Sequence, residues 1–301
     1  MDVNKLFRAQ SLNNISHRQT QPWRKLLWIH QQYPDNYVDG SFLSQLKRNT
    51  NIQYYTLWTL VLDSTVVIVH LSTVAIFIIL FLGIYNHNWS PVIITSASTV
   101  STLAGYIMWD QLGPGDNHRE STIRSSILIV FTILALSPVF KSLTQSTSSD
   151  SIWALASWLC LANIYCHDYE SGPQVKLKPI LSTNLILSAA LVLASRLPTS
   201  VSVFCFVLFS IQTFGLFPIF VRWVRFTSET GYWILFTFLL IASNLGLYNM
   251  AGTWALIVWT VIELCVTFIG PLWFIRLQKY KNEIQGPWDP AKPVIRSDPN
   301  C

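Results

Sequence analysis

The sequence predicts an all-α integral membrane protein with about eight transmembrane helices and both termini in the cytosol. Three observations lead there. The first is a 29-residue run, Leu57 to Tyr85, without a lysine, an arginine or a proline. A helix rises about 1.5 Å per residue and the hydrocarbon core is about 30 Å thick, so about 20 apolar residues suffice to cross it. The second is composition: 51% of residues are hydrophobic and only 12% charged, about half the charge of a soluble domain. The third is where the charge lies. Of the 20 lysines and arginines, all but Lys141 and Arg196 fall on one side of an alternating eight-span path. Basic residues favour the cytoplasmic side. Shifting one span would destroy the alternation.

Taken in order, residues 1–21 read as a disordered cytosolic tail, polar and without the apolar core of a cleaved signal peptide. Residues 22–55 interleave aromatic and basic side chains and read as a cytosolic amphipathic or interfacial arm. Trp23, Leu26 and Leu27 have the spacing of one helix face, and a second short helix is expected from Phe42 to Arg48. The arm either lies in the membrane interface, docks a partner or collars the protein's own loops. Residues 56–275 form the eight-span domain. After Leu57–Tyr85 the expected spans are Pro91–Leu112, Ile123–Phe140, Ser151–Tyr169, Pro179–Ser195, Thr199–Val221, Gly231–Tyr248 and Ala251–Ile275. Several connections are short, so neighbouring helices should be antiparallel. Pro138, Pro218 and Pro271 fall near span ends, where a kink costs least. Residues 276–301 make a cytosolic tail.

Ionisable groups at membrane depth face the bundle interior and find partners. Asp63 and His70 are seven residues apart, two turns, and share a helix face. Asp110, Asp168 and Glu263 lie inside or at the edges of spans. These groups mark either an ion path or hydrogen bonds between helices. Lys141 and Arg196, on the sparsely charged side, invite a common explanation with Asp150, which starts the fourth span there. Pairing of Asp150 with either base would lock three helices together. Asn88-Trp89-Ser90 has the form of a glycosylation acceptor, but its loop is too short for easy modification. Five cysteines, four of them in apolar runs, are expected as buried hydrophobes rather than disulfides. No glycine-rich phosphate loop, zinc-spaced cluster or nucleophile elbow is present, so no cofactor, metal, catalytic residue or nucleic-acid partner is expected. The soluble segments, about 55 and about 26 residues, are too short for a nucleotide-binding sheet domain of about 100 residues or more.

Several stretches together resemble the PIG-C family, subunits of the phosphatidylinositol N-acetylglucosaminyltransferase of GPI-anchor biosynthesis. They are PWRKLLW and YPDNYVDGSFLSQLKRN (Pro22 to Asn49), DSTVVI (Asp63 to Ile68), GYIMWD (Gly105 to Asp110) and SPVFKSLTQSTSSDSIWA (Ser137 to Ala154). ASRLPTS (Ala194 to Ser200), SIQTFGLFP (Ser210 to Pro218) and PLWFIRLQKYKNEIQGPWD (Pro271 to Asp289) complete the series. The resemblance implies a multi-pass subunit of the endoplasmic reticulum complex that moves GlcNAc from UDP-GlcNAc to phosphatidylinositol. It further implies that catalysis belongs to a PIG-A-type glycosyltransferase, with PIG-H, PIG-P, PIG-Q and PIG-Y-type subunits as further partners. This chain would be a non-catalytic scaffold. Its cytosolic platform would use Tyr33, Asp35, Asn36 and Tyr37 of the arm and Trp288 of the tail. Arg222, Arg225 and Arg276 stand where an inositol phosphate would lie, and either attract it or only enforce topology. Two other classes stay open: a transporter or lipid scramblase, and a transferase whose own Asp63, Asp110 or Glu263 is catalytic.

Overall fold

The computed structural model describes residues 55–112, 119–143, 146–169 and 180–282, together with 24, 28, 30, 31, 33, 37, 47, 48, 284 and 285. Two units emerge, Tyr55–Arg276 and a second formed by Met1–Tyr54 with Leu277–Cys301.

In the larger unit every described element is helical. Helix α1 spans Leu57–Asn86 and starts at Thr56, whose hydroxyl accepts from the Thr59 N–H, the usual closure of a first turn. Helix α2 (Pro91–Leu112) returns after a tight turn in which Asn88 takes a left-handed φ of 53°, a conformation asparagine tolerates. Helices α3 (Arg119–Ser142), α4 (Ser149–Cys166) and α5 (Ile180–Ala194) follow. Helix α6 (Ser200–Ile211) passes through a π-turn, Gln212–Leu216, into α7 (Phe217–Thr227). Helix α8 (Glu229–Leu264) passes through a second π-turn, Cys265–Ile269, into α9 (Gly270–Gln278).

Five of these helical stretches are long and apolar enough to cross a membrane: Leu57–Asn86, Pro91–Gln111, Glu120–Ser142, Ser200–Thr227 and Glu229–Gln278. The last is not straight. Gly252 has φ 79° and ψ −171°, a region open essentially to glycine alone. Thr260 donates to the side chain of Asn244 at 3.1 Å, although 16 residues of straight helix would separate them by about 24 Å. The chain therefore reverses at Gly252, and α8 is a hairpin of two antiparallel arms. The expected spans Gly231–Tyr248 and Ala251–Ile275 correspond to these arms.

Several expected boundaries are corrected. Thr199–Val221 ends too early: the helix continues to Thr227, so Arg222 and Arg225 stand on α7 rather than in a connection. Arg276 likewise stands on α9 rather than in a tail. Tyr169 lies beyond the end of α4, in an irregular segment. Pro138 lies inside α3. Pro218 and Pro271 both sit just after π-turns. A proline supplies no N–H and its ring crowds the carbonyl four residues earlier, so the extra residue of a π-turn relieves both sites.

The core is built around α1. Phe77 is fully buried and stacks on Phe206 of α6, with ring centroids 5.1 Å apart, and meets Phe214 of the π-turn edge-on at 5.4 Å. Small residues let α4 and α5 approach: Ala156, Cys160, Ala189, Ala190 and Ala194 are all buried in this cluster. In lipid such close packing, rather than water exclusion, drives helix association. Gly246 of α8 lies against Ile79 of α1, where an added Cβ would come within 2.9 Å of the isoleucine side chain.

In the smaller unit, β1 (Lys47–Arg48) pairs antiparallel with β2 (Ile284–Gln285), Lys47 opposite Gln285. This corrects the expected helix over Phe42–Arg48 at its end: backbone pairing with a distant segment replaces the local helical pattern. The proposed Trp23 face and residues 1–21 lie outside the described residues.

Candidate functional site

Three consecutive residues of α1, Asp63, Ser64 and Thr65, each engage a different element. Successive helical residues point about 100° apart, so three of them cover more than half the circumference. Arg225 of α7 donates through Nη2 to Asp63 Oδ1 at 3.0 Å. Its guanidinium also lies 5.5 Å from the centroid of the Tyr232 ring, within cation–π range. Ser64 Oγ lies 3.3 Å from the carbonyl of Thr267 in the second π-turn, the carbonyl that Pro271 cannot serve. Thr65 Oγ1 and Tyr232 Oη, on the first arm of α8, share a 2.7 Å hydrogen bond. The DST triplet thus ties α1 to α7, to the first arm of α8 and to the second π-turn. The ion pair is asymmetric: the Arg225 side chain is 19% exposed and that of Asp63 56%. A carboxylate so open to its surroundings makes a weak pair and a reachable acceptor.

Two turns deeper, His70 Nε2 lies 3.0 Å from Asn163 Oδ1 of α4. Asn163 Nδ2 donates to the carbonyl of Ser182 at 2.9 Å and to its hydroxyl at 2.7 Å. The His70 ring stacks on His167, centroids 3.8 Å apart and planes within 10°. His167 Nδ1 is 3.2 Å from Ser182 Oγ, and Tyr169 closes edge-on over both imidazoles. One buried polar layer therefore joins α1, α4 and the start of α5.

Glu263 is buried on the second arm of α8, where Asn244 Nδ2 donates to its Oε2 at 2.9 Å and Ser243 Oγ lies 3.5 Å from Oε1. It closes the α8 hairpin. A polar ladder also joins α2 to α6 and the π-turn after it: Thr95 donates to the Cys205 carbonyl at 3.0 Å, Gln212 Nε2 to Thr99 Oγ1 at 3.0 Å, and Ser98 to Gln212 Oε1.

Of the residues singled out from sequence, Asp63 and Arg225 are brought together as a pair. Asp63 and His70 occupy α1 two turns apart but serve separate networks. Arg222 is half-buried on α7 and Arg276 exposed on α9. Asp110 is half-buried in the last turn of α2. Lys141 and Asp150 form no ion pair among the described residues; Arg196 instead donates to the carbonyl of Thr147, just ahead of α4. Tyr33 and Tyr37 of the arm pack ring on ring at 4.3 Å. Asp35, Asn36 and Trp288 lie outside the described residues. Sequence reasoning passed over Asn163, Ser182 and Gln212. The signal was present: an amide such as Asn163 in LCLANIYC, or Gln212 in FSIQTFG, must find partners at membrane depth. Among the described residues no group of three or more histidine, cysteine or acidic side chains could hold a metal ion.

Against known proteins, the family model GPI2, phosphatidylinositol N-acetylglucosaminyltransferase, matches residues 23–289. The chain is 43% identical over 298 residues to the phosphatidylinositol N-acetylglucosaminyltransferase GPI2 subunit of Schizosaccharomyces pombe, covering 96% of this chain and 92% of that one. It is 38% identical to a putative PIG-C-type subunit of the same transferase from Dictyostelium discoideum, over 91% of this chain and 81% of the relative. It is 31% identical to the PIG-C subunit of the human phosphatidylinositol N-acetylglucosaminyltransferase, over 90% of this chain and 92% of the relative. No solved structure matches. The helical membrane unit, its polar junctions and this similarity from the arm to the tail have one conclusion: the chain belongs to the GPI2, or PIG-C, family of phosphatidylinositol N-acetylglucosaminyltransferase subunits.

Proposed function

We propose that this chain is a non-catalytic membrane subunit of an enzyme that transfers GlcNAc from UDP-GlcNAc to phosphatidylinositol, the first step of GPI-anchor biosynthesis. The observation that carries the reading is the extent of similarity: proteins named as subunits of that transferase match through the arm, the spans and the start of the tail. The architecture supports it. The larger unit is made of helices among its described residues, and several of its polar side chains tie helices together. The sugar donor is then handled by another chain, a PIG-A-type glycosyltransferase, with PIG-H, PIG-P, PIG-Q and PIG-Y-type subunits beside it.

In this reading the chain crosses the endoplasmic reticulum membrane eight times with both termini cytosolic. The arm around Tyr33, Asp35, Asn36 and Tyr37, with Trp288, docks partners, and Arg222, Arg225 and Arg276 draw in the anionic lipid. Asp63 shares Arg225 with that lipid, which makes Arg225 a tempered attractor rather than a bare one. A gentle detergent pull-down of the tagged chain, assayed for GlcNAc transfer to phosphatidylinositol, tests the proposal. A soluble-type glycosyltransferase and activity are expected in the eluate, both lost without this chain. A lone, stable chain with neither overturns it.

A further inference from the structure

The buried layer beneath the Asp63–Arg225 pair contains a small cleft whose lining includes His70, His167, Ser182, Thr183, Phe214 and Pro218. Its hydrogen-bond pattern fixes a tautomer. Asn163 spends its amide N–H groups on the two oxygens of Ser182, so the atom facing His70 is Oδ1. That oxygen carries no proton, so His70 Nε2 must donate to it. In the uncharged ring the second nitrogen, Nδ1, is then a bare acceptor. His70 is only 6% exposed, and its Nδ1 has no partner among the described residues. The Thr183 hydroxyl on the same cleft has none either. The ring is buried, yet its Nδ1 is not itself enclosed, so the acceptor is open to a donor that enters the cleft.

The chemistry of the missing group is narrow. Phe214 and Pro218 make apolar walls, which disfavour a charged occupant. A phosphate would set negative charge against the imidazole lone pair. A metal ion would need a third ligand that the described residues do not supply. A neutral hydroxyl meets both needs, donating to His70 Nδ1 and bonding to Thr183 Oγ1. His167 lies just past the end of α4, and Ser182 and Thr183 fall in the first turn of α5, so the cleft lies beside two helix ends, with His70 midway along α1. Asp63 lies seven residues from His70 on α1, and Arg225 seven from Pro218 on α7, about 10 Å along each helix. The ion pair and the cleft are thus carried by the same two helices, α1 and α7.

The geometry points to this cleft as the seat of one hydroxyl of a polyol lipid headgroup. Its assignment to phosphatidylinositol rests on the proposed function. Because water is also a hydroxyl donor, the test must separate the two sources. The complex, purified with its subunits, is placed in phosphatidylcholine nanodiscs with equal amounts of phosphatidylinositol and phosphatidic acid, and retained lipid is measured by mass spectrometry. Phosphatidic acid has the phosphate without the polyol. The wild-type complex should retain phosphatidylinositol preferentially. His70→Gln keeps an N–H for Asn163 but carries its acceptor, Oε1, away from the position of Nδ1, and should lower that preference about tenfold. Thr183→Val should lower it by less, and decides the matter alone if the glutamine variant fails to assemble. An undiminished preference with all subunits retained assigns the cleft to water and overturns the lipid site. Loss of preference in variants of a preparation without any glycosyltransferase would sustain the site while sinking the proposed function.

Discussion

Helices α1 and α3 are both long and apolar, yet they live in different surroundings. In the most apolar window of α1, 67% of residues are buried inside the protein; in that of α3 only 11% are. Both are apolar enough to cross a membrane, and a bilayer and a protein interior are equally hospitable to Leu, Ile and Phe. What separates them is the polar content. Buried Thr65, His70, Ser72 and Thr73 punctuate α1, whereas the middle of α3 reads ILIVFTILAL and turns Ile127, Leu128 and Phe131 outward. On α1 the polar groups Thr65 and His70 face neighbouring helices and bond to them. The sharpest way to break this comparison is a matched pair of truncations. Phe77→Ala empties a site packed against Phe206 and Phe214 and should cost about 3 kcal/mol. Phe131→Ala, 66% exposed, should cost less than about 0.5 kcal/mol. Thermal unfolding of both variants in one detergent measures the difference; equal losses would mean α1 and α3 are interchangeable.

The contrast also explains how much was legible in the chain. The helical membrane character follows from run length alone. The helix hairpin at Gly252 was visible as two adjacent runs, although the sequence around it has no proline and no charge to mark the turn. The continuation to Thr227 was hidden because Arg222 and Arg225 look like the end of an apolar run, while α7 carries them on its last turns. Asp63 was recognised as needing a partner, and Arg225 as a basic rim residue. Nothing in their separation of 162 residues announces that they meet. The Asn163–Ser182 bonds were out of reach for a different reason: periodicity tells which residues share a helix face, not which faces oppose each other.

Two intermediate effects sharpen the picture within the buried region. Gly252→Ala forces a side chain into a backbone region that non-glycine residues avoid, and the cost should be about 2 kcal/mol even though an added Cβ would meet no atom within 4 Å. The penalty is therefore conformational and not steric contact, and Gly252→Ser should match it closely in the same unfolding assay. Asn163→Leu leaves His70 Nε2 and the Ser182 carbonyl without their partner. Unpaired buried groups cost about 1–3 kcal/mol, but interhelical bonds within membranes average only about 0.6 kcal/mol because the separated helices find other partners. About 1 kcal/mol is expected for Asn163→Leu. A loss as large as that of Phe77→Ala would make the polar layer, rather than the aromatic core, the main fastening of α1.

The smallest effect belongs to the most conspicuous interaction. Asp63 and Arg225 form a well-directed 3.0 Å pair, but the carboxylate is more than half exposed. Exposed pairs measured by double-mutant cycles give about 0.2–1 kcal/mol, and the attraction is screened by salt. A cycle of Asp63→Ala, Arg225→Ala and the double variant should give a coupling of about 0.5 kcal/mol that shrinks as salt is raised. Ser64 and Thr65 keep α1 attached to the second π-turn and to the first arm of α8 when the ion pair is gone, so Asp63→Ala should leave the fold standing. Its larger consequence should be functional: removing the carboxylate frees Arg225 from its counter-charge, and retention of anionic lipid by the complex should rise. If retention falls instead, Asp63 holds Arg225 in the orientation the lipid needs. The pair would then act as a positioned site and not as a tempered charge.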